Sequence, residues 1–272
     1  LLHAPKNGYF YVLEAATGKL LSADQYGVRV NWSSRVDMKT GRPVELKEAQ
    51  YWVTGRALHY PSAYGAHNLM PMAFSPLTGL VYVPAIDMAN VTTYTPAPPR
   101  KDAEMALAAA SAHLELMSNL GDANAPLIAW DPVRREARWK IVDPLPIGGG
   151  TLATAGNLVF YGKGDGLLRA FAADTGKVLW SVQMPGAVRA APVTVDVDGE
   201  QFVLIAAGSD GSSGGGIAMG DVNTTEVTRQ APARLFAFKL GGGLQIPKLD
   251  IRGVFSKPPM DSFPADVAKQ GR

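Results

Sequence analysis

The stretch Gly166-Leu167-Leu168-Arg169-Ala170-Phe171-Ala172-Ala173-Asp174-Thr175-Gly176-Lys177-Val178-Leu179-Trp180 constrains the fold more than any other. Leu168, Ala170 and Ala172 alternate with Arg169 and Phe171, which is the period of a strand with two different faces. Asp174-Thr175-Gly176-Lys177 predicts a turn in which the Asp side chain caps neighbouring N–H groups and Gly176 takes a positive φ. Val178-Leu179-Trp180 opens a second strand, and Trp180 offers a large flat apolar surface suited to closing one sheet on the next.

The same unit recurs. Phe10 to Leu21 repeats its form, with Glu14 near the acidic position and Leu in place of Trp. Leu127 to Trp139 keeps Asp131 and the Trp but loses Thr-Gly-Lys. Met72 to Tyr82 is a looser strand–turn–strand relative, and Arg234 to Leu240 reads as a copy cut off after its first strand. Hairpins repeated at intervals of about 40–50 residues are the signature of propeller blades. The expected class is therefore all-β, a β-propeller over residues 1–240.

Charge and composition exclude some roles. Lys and Arg total 26 against 24 Asp and Glu, a net charge of +2, which makes no case for nucleic acid or a charged membrane surface. With no Cys there is no disulfide framework, thiolate metal site or haem-attachment motif within these residues. No run approaches the roughly 20 apolar residues of a membrane span. The 29 Gly and 20 Pro suit a turn-rich chain.

Elsewhere, Lys39-Thr40-Gly41-Arg42-Pro43 predicts a turn, and Asp198-Gly199 predicts a two-residue hairpin. Tyr60 to Met72 is a polar-aromatic loop, the kind of segment that carries sites more often than strands do. Residues 95–100 read as a stiff connector. Ala-rich residues 101–119, with Met105, Ala108, Ala112 and Leu116 at helical spacing, predict one helical insertion packed on the sheets. Residues 241–272 predict an extended Gly- and Pro-containing tail. Gly148–Gly150 and Gly214–Gly216 lack the strand and GK[ST] context of a phosphate loop and read as turns.

Several motifs carry a family resemblance. They are Ala4-Pro5-Lys6-Asn7-Gly8-Tyr9-Phe10-Tyr11-Val12-Leu13, Gly65-Ala66-His67-Asn68, Pro71-Met72, Ser75-Pro76, and Thr78 to Tyr82. Gly149 to Phe160 and the hairpin Ala170–Trp180, read as a tryptophan-docking motif, complete the set. With them the chain resembles the quinoprotein alcohol dehydrogenases, especially their quinohaemoprotein branch. The resemblance implies the C-terminal half, roughly four blades, of a propeller that is eight-bladed when complete. It also implies a periplasmic enzyme holding pyrroloquinoline quinone (PQQ) and Ca²⁺ near the axis. Such an enzyme oxidises primary or secondary alcohols and passes electrons to a cytochrome, with haem c in a domain beyond this chain.

Two family functions map onto matching positions. Lys6 matches the basic residue that reaches the quinone oxygens, where a fixed cation stabilises developing negative charge. Asn68 matches an amide that hydrogen-bonds the cofactor rim, offering donor and acceptor together. Taken alone, Lys6 before Asn-Gly reads as a solvated turn residue, Asn68 as a loop cap and His67 as a packed loop histidine. The resemblance assigns no catalytic residue and no metal ligand to this chain; the aspartate base and the Ca²⁺ ligands are expected upstream. Leu69 stands where the family usually has Trp, and Gly208-Ser209-Asp210-Gly211 stands where it carries Gly-Trp-Gly-Gly.

A half propeller has open blade faces, so the expected partner is an N-terminal half-propeller chain or a second copy. The rival reading is a non-catalytic propeller, a binding or scaffold module that has lost the redox centre.

Overall fold

Neighbouring strands pair antiparallel within each sheet, most of them consecutive in the chain as the hairpin repeats require. In the computed structural model the described residues are 1–94, 112–116, 123–143, 147–208, 232–243 and 245–246. β1 (Leu2–His3), β2 (Tyr9–Leu13) and β3 (Leu20–Gln25) form a three-stranded sheet. A hairpin of β4 (Ser33–Val36) and β5 (Pro43–Glu45) follows, then the one-turn helix α1 (Tyr51–Thr54) and β6 (Arg56–His59). Next come β7 (Ala73–Ser75), β8 (Leu80–Pro84), β9 (Asn90–Tyr94), β10 (Ala112–Leu116), β11 (Leu127–Asp131) and β12 (Glu136–Ile141). β7, β8, β11 and β12 make a four-stranded blade, while β9 and β10 leave it to pair with β6. The second four-stranded blade is β13 (Gly148–Thr154), β14 (Leu158–Lys163), β15 (Leu167–Ala172) and β16 (Val178–Gln183). The last sheet holds β17 (Val193–Val197), β18 (Glu200–Ala207) and β19 (Arg234–Phe238). Among the described residues the repeats thus become two four-stranded blades, flanked by the three-stranded sheets β1–β3 and β17–β19, with β6, β9 and β10 forming a third three-stranded sheet.

The helical insertion is corrected where it can be seen. Ala112–Leu116, inside the stretch expected to be helical, is a strand paired residue for residue with β9. Residues 95–111 and 117–122 lie outside the described residues, as do Gly214–Gly216 and 247–272.

The repeated turn is one conformation reused. In β2–β3, β11–β12 and β15–β16 the register shifts at Val12/Leu13, Ala129/Trp130 and Ala170/Phe171. Five residues after each shift stands a positive φ: Gly18 at 73°, Arg135 at 60° and Gly176 at 72°. Each of these donates its N–H to the carbonyl four residues back, at 2.8–2.9 Å. The copy that lacks Thr-Gly-Lys keeps the geometry by forcing Arg135 into the left-handed region. The bulge also corrects the alternation expected at β15. Ala170 and Phe171 are both buried and Ala172 is half-buried, because the extra residue turns two neighbours inward. The expected Asp174 cap is absent; its Oδ1 instead accepts from Asn157 Nδ2 at 3.1 Å. Thr175 Oγ1 accepts the Lys177 N–H at 3.5 Å, as Thr17 does for Lys19 at 3.2 Å.

Aromatic residues close each blade on the next. Trp139 Nε1 donates to the Ala173 carbonyl at 3.0 Å, and its indole lies over the site where a Cβ on Gly176 would stand, 2.9 Å away. Its ring also leans on Tyr82, centroids 5.7 Å apart. Trp180 makes the same kind of closure one blade further on, edge-to-face with Phe238 at 5.4 Å. Between blades lie apolar layers, such as Phe10, Tyr26, Val81, Val83, Ile128 and Trp130 between the first and second. On the far face of the last sheet no such layer is found among the described residues. Val193, Val195 and Leu235 there are exposed, and pairing puts them on one side with Phe202, Leu204 and Ala237.

Gly148–Gly150 are strand, not turn. They open β13, buried, and a Cβ on Gly148 would lie 2.3 Å from the Tyr161 hydroxyl. On Gly149 it would lie 2.5 Å from the Ala190 carbonyl, and on Gly150 2.6 Å from Pro71. Close approach of three segments, rather than backbone freedom, selects glycine here.

Candidate functional site

The loop from Tyr60 to Met72, between β6 and β7, is tied down on every side. Asn31 Oδ1 accepts the Tyr60 N–H at 2.7 Å, and Asn90 Oδ1 accepts that of Ala63 at 2.7 Å. The Ser62 N–H reaches the Met88 carbonyl at 2.8 Å, and the Ala66 carbonyl takes the Ile86 N–H at 2.8 Å. At the far end Pro71 accepts from the Thr151 N–H at 2.9 Å and from its hydroxyl at 3.2 Å. These bonds anchor the loop to the scaffold at its start, middle and end.

Against this loop lies the turn between β1 and β2 that carries Lys6. The Ala66 N–H donates to the Lys6 carbonyl at 2.8 Å. Gly65, at φ 87°, lets the two backbones touch, since a Cβ there would meet Lys6 Cα at 2.7 Å. The Lys6 side chain is exposed, and Nζ reaches the Ala63 carbonyl at 3.4 Å. That is long for a charged donor, which prefers about 2.7–2.9 Å. Among the described residues no carboxylate pairs with Lys6.

Asn68 stands in the same loop, half-buried, and donates Nδ2 to the Tyr64 carbonyl at 2.9 Å. That bond fixes the amide plane and leaves Oδ1 and the second N–H for another partner among the described residues. The Tyr64 ring packs at the edge of the Met70, Ile86, Met88 and Ile147 cluster. Burial pushes the Tyr64 hydroxyl up to about 12, against the pull of Arg189, so at neutral pH it remains a donor rather than a base. Leu69, next to Asn68, is 83% exposed.

Lys6 and Asn68 lie 62 positions apart in the sequence, and the structure brings the turn of one against the loop of the other, both side chains bonding to the Ala63–Tyr64 segment. The joining is done by Gly65, Ala66 and His67, which the sequence offered as part of a family motif, with His67 read as a packed loop histidine. His67 is buried, with Nδ1 2.6 Å from the Ala4 carbonyl oxygen and Nε2 2.7 Å from that of Met70. A glycine followed by a small residue directly before His-Asn was the available signal of a close backbone approach.

The site thus presents an unneutralised cation and an oriented amide on one rigid platform. This donor set fits a ligand with anionic or quinone oxygens, such as PQQ. Among the described residues no group of three or more His, Asp or Glu gathers to hold a metal ion.

Antiparallel blades stacked face to face and closed by aromatic contacts define a segment of β-propeller. Residues 131–203 match the family described as PQQ: glucose/ethanol/alcohol dehydrogenase, beta-propeller domain. Those residues carry that family's propeller sequence, and over its whole length the chain is similar to a segment of quinohaemoprotein alcohol dehydrogenases. It is 41% identical over its whole length to lupanine 17-hydroxylase [cytochrome c] of a Pseudomonas species, of which it covers 38%. It is 39% identical, over 91% of its length, to 1-butanol dehydrogenase (cytochrome c) of Thauera butanivorans, of which it covers 35%. Among solved structures it superposes with TM-score 0.82 on quinohemoprotein alcohol dehydrogenase ADH-IIG of Pseudomonas putida. That match has 37% identity and covers 98% of this chain and 40% of the other. The chain therefore spans about two fifths of the length of the proteins it matches.

Proposed function

We propose that this chain is the C-terminal part of the propeller of a PQQ- and Ca²⁺-dependent dehydrogenase. The reaction is oxidation of alcohols to aldehydes or ketones, with the electrons passed to a cytochrome, in the periplasm. The observation that carries this reading is the pairing of Lys6 and Asn68 on the Ala63–Tyr64 segment. The named activities of the relatives support it.

PQQ, when bound, supplies a quinone that accepts two electrons as hydride. Lys6 would hold the quinone oxygens by its ammonium, whose charge would be worth more to a transition state with added negative charge than to the ground state. Asn68 would hold the cofactor rim through Oδ1 and its second N–H. Backbone tethering fixes where both segments stand, and the Tyr64 bond fixes the Asn68 amide. The catalytic base and the Ca²⁺ ligands belong to preceding sequence in this reading. The exposed apolar face of the last sheet supports a further propeller segment, or a second copy, as the partner that completes the ring.

The test is dye-linked alcohol oxidation with added PQQ and Ca²⁺, on this chain and on the chain joined to its upstream coding region. Activity confined to the extended form is the expected result. Absence of activity in both forms, over a broad alcohol panel, overturns it. The exposed Leu69, where the family usually has Trp, favours the second reading of a propeller that binds without catalysis. Failure of the extended form to take up PQQ would establish that reading.

A further inference from the structure

The Lys6 and Asn68 segments meet through one buried side chain. His67 has its two ring nitrogens on two carbonyl oxygens, Ala4 at 2.6 Å and Met70 at 2.7 Å. Ala4 lies two residues before Lys6, and Met70 two residues after Asn68. The ring therefore bridges the two segments at points that flank both polar side chains. On its Lys6 side it works beside the Ala66 N–H, which holds the Lys6 carbonyl at 2.8 Å. On its Asn68 side it folds the loop back on itself, so that Asn68 can reach Tyr64 at 2.9 Å.

A residue that only fills space needs no such partners. Carbonyl oxygens accept and never donate, so the imidazole is the donor to them: to both when doubly protonated, to one when neutral. An apolar ring of similar size would fill the volume but supply neither the N–H that a neutral ring gives one of these carbonyls nor the second that a protonated ring adds. The loss would appear as slack between the segments, and a slack first contact weakens a ligand more than it weakens the fold.

We propose that His67 is a positioning residue that sets the spacing at which Lys6 and Asn68 address a single ligand. This rests on the reading that these two side chains hold PQQ.

The experiment uses the intact polypeptide that contains these residues, with Ca²⁺ present, as wild type, His67→Phe and His67→Gln. PQQ binding is titrated by quenching of tryptophan fluorescence, well below each variant's Tm. His67→Phe is expected to raise the Kd for PQQ about 10- to 100-fold. His67→Gln, whose amide nitrogen carries two N–H donors, is expected to recover part of that loss. A lowered Tm with unchanged Kd in His67→Phe overturns the proposal and leaves a packing role. If His67→Phe does not fold, His67→Gln decides: a Kd raised about threefold or more supports the proposal, and one equal to wild type overturns it. A wild type that takes up no PQQ is a different failure. It overturns the functional reading, and this inference with it.

Discussion

Lys6 Nζ and Asn68 Nδ2 end on successive carbonyls of one loop, Lys6 on Ala63 at 3.4 Å and Asn68 on Tyr64 at 2.9 Å. A cation and an amide from distant parts of the chain are thereby placed one peptide unit apart. The loop they share is bonded to β8–β9, to Asn31 and to Thr151, so the pair inherits the rigidity of three blades.

Gly65 is where that arrangement is most easily broken. At φ 87°, and with Lys6 backbone 2.7 Å from any added Cβ, Gly65→Ala has both a strained backbone and a clash to resolve. We expect a loss of about 1–3 kcal/mol in urea unfolding with an unchanged m-value. A midpoint equal to the wild type's would show that the contact is not as tight as described.

The reused turn offers a matched comparison. Gly18 and Gly176 have φ 73° and 72°, but a Cβ on Gly18 meets nothing within 4 Å whereas one on Gly176 meets the Trp139 ring at 2.9 Å. Gly18→Ala should cost about 1 kcal/mol from φ alone, and Gly176→Ala distinctly more. Arg135→Gly, at φ 60°, should gain up to about 1 kcal/mol by relieving the same strain. Equal costs for the two glycine variants would contradict the blade-to-blade contact.

Trp139 joins the two four-stranded blades through its N–H on Ala173 and its ring on Gly176. Trp139→Phe keeps a ring and loses the hydrogen bond, about 1 kcal/mol. Trp139→Ala removes the packing too, about 3–5 kcal/mol. Thermal unfolding followed by calorimetry separates them, and an alanine variant no worse than Phe would deny the ring its role.

Much of this was legible in the sequence, and the failures share a cause. Period two, Thr-Gly turns, Asp198-Gly199 and the terminal tryptophans are local signals, and each appears in place: Asp198 and Gly199 have φ 54° and 80°. The bulge at Ala170/Phe171 depends on the partner strand, so alternation alone could not show that these two neighbours are both buried. Gly148–Gly150 looked like turn glycines because the segments that exclude their side chains lie up to 80 positions away. Ala112–Leu116 has helical spacing, yet pairing with β9 overrides that propensity. Of the site, Lys6 and Asn68 were reached only through family resemblance. His67 read as a packed loop histidine and is one, but its two acceptors, at Ala4 and Met70, are brought together only by the fold.

His67 also gives the protein a titration signature. Burial, assisted by the charge of nearby His3, holds its imidazole below the ordinary 6.5, while the Ala4 and Met70 carbonyls oppose the shift. The unfolded chain therefore takes up this proton first as pH falls. Stability is full above 6.5, declines as pH drops below 6.5, and levels off once the folded ring titrates as well. One such group contributes at most about 1.4 kcal/mol per unit of its shift. Urea midpoints at about pH 7.5 and about pH 5.5 should differ less in His67→Gln than in the wild type. An identical difference in both would remove His67 from the account.

The most direct measurement is a double-mutant cycle on PQQ affinity with Lys6→Ala, Asn68→Ala and the pair combined, in the intact polypeptide with Ca²⁺. If both side chains address one bound quinone from one platform, each single change weakens binding. Their effects then fail to add by at least about 0.5 kcal/mol. Strictly additive losses, or no loss from either change, would contradict a shared site at Lys6 and Asn68.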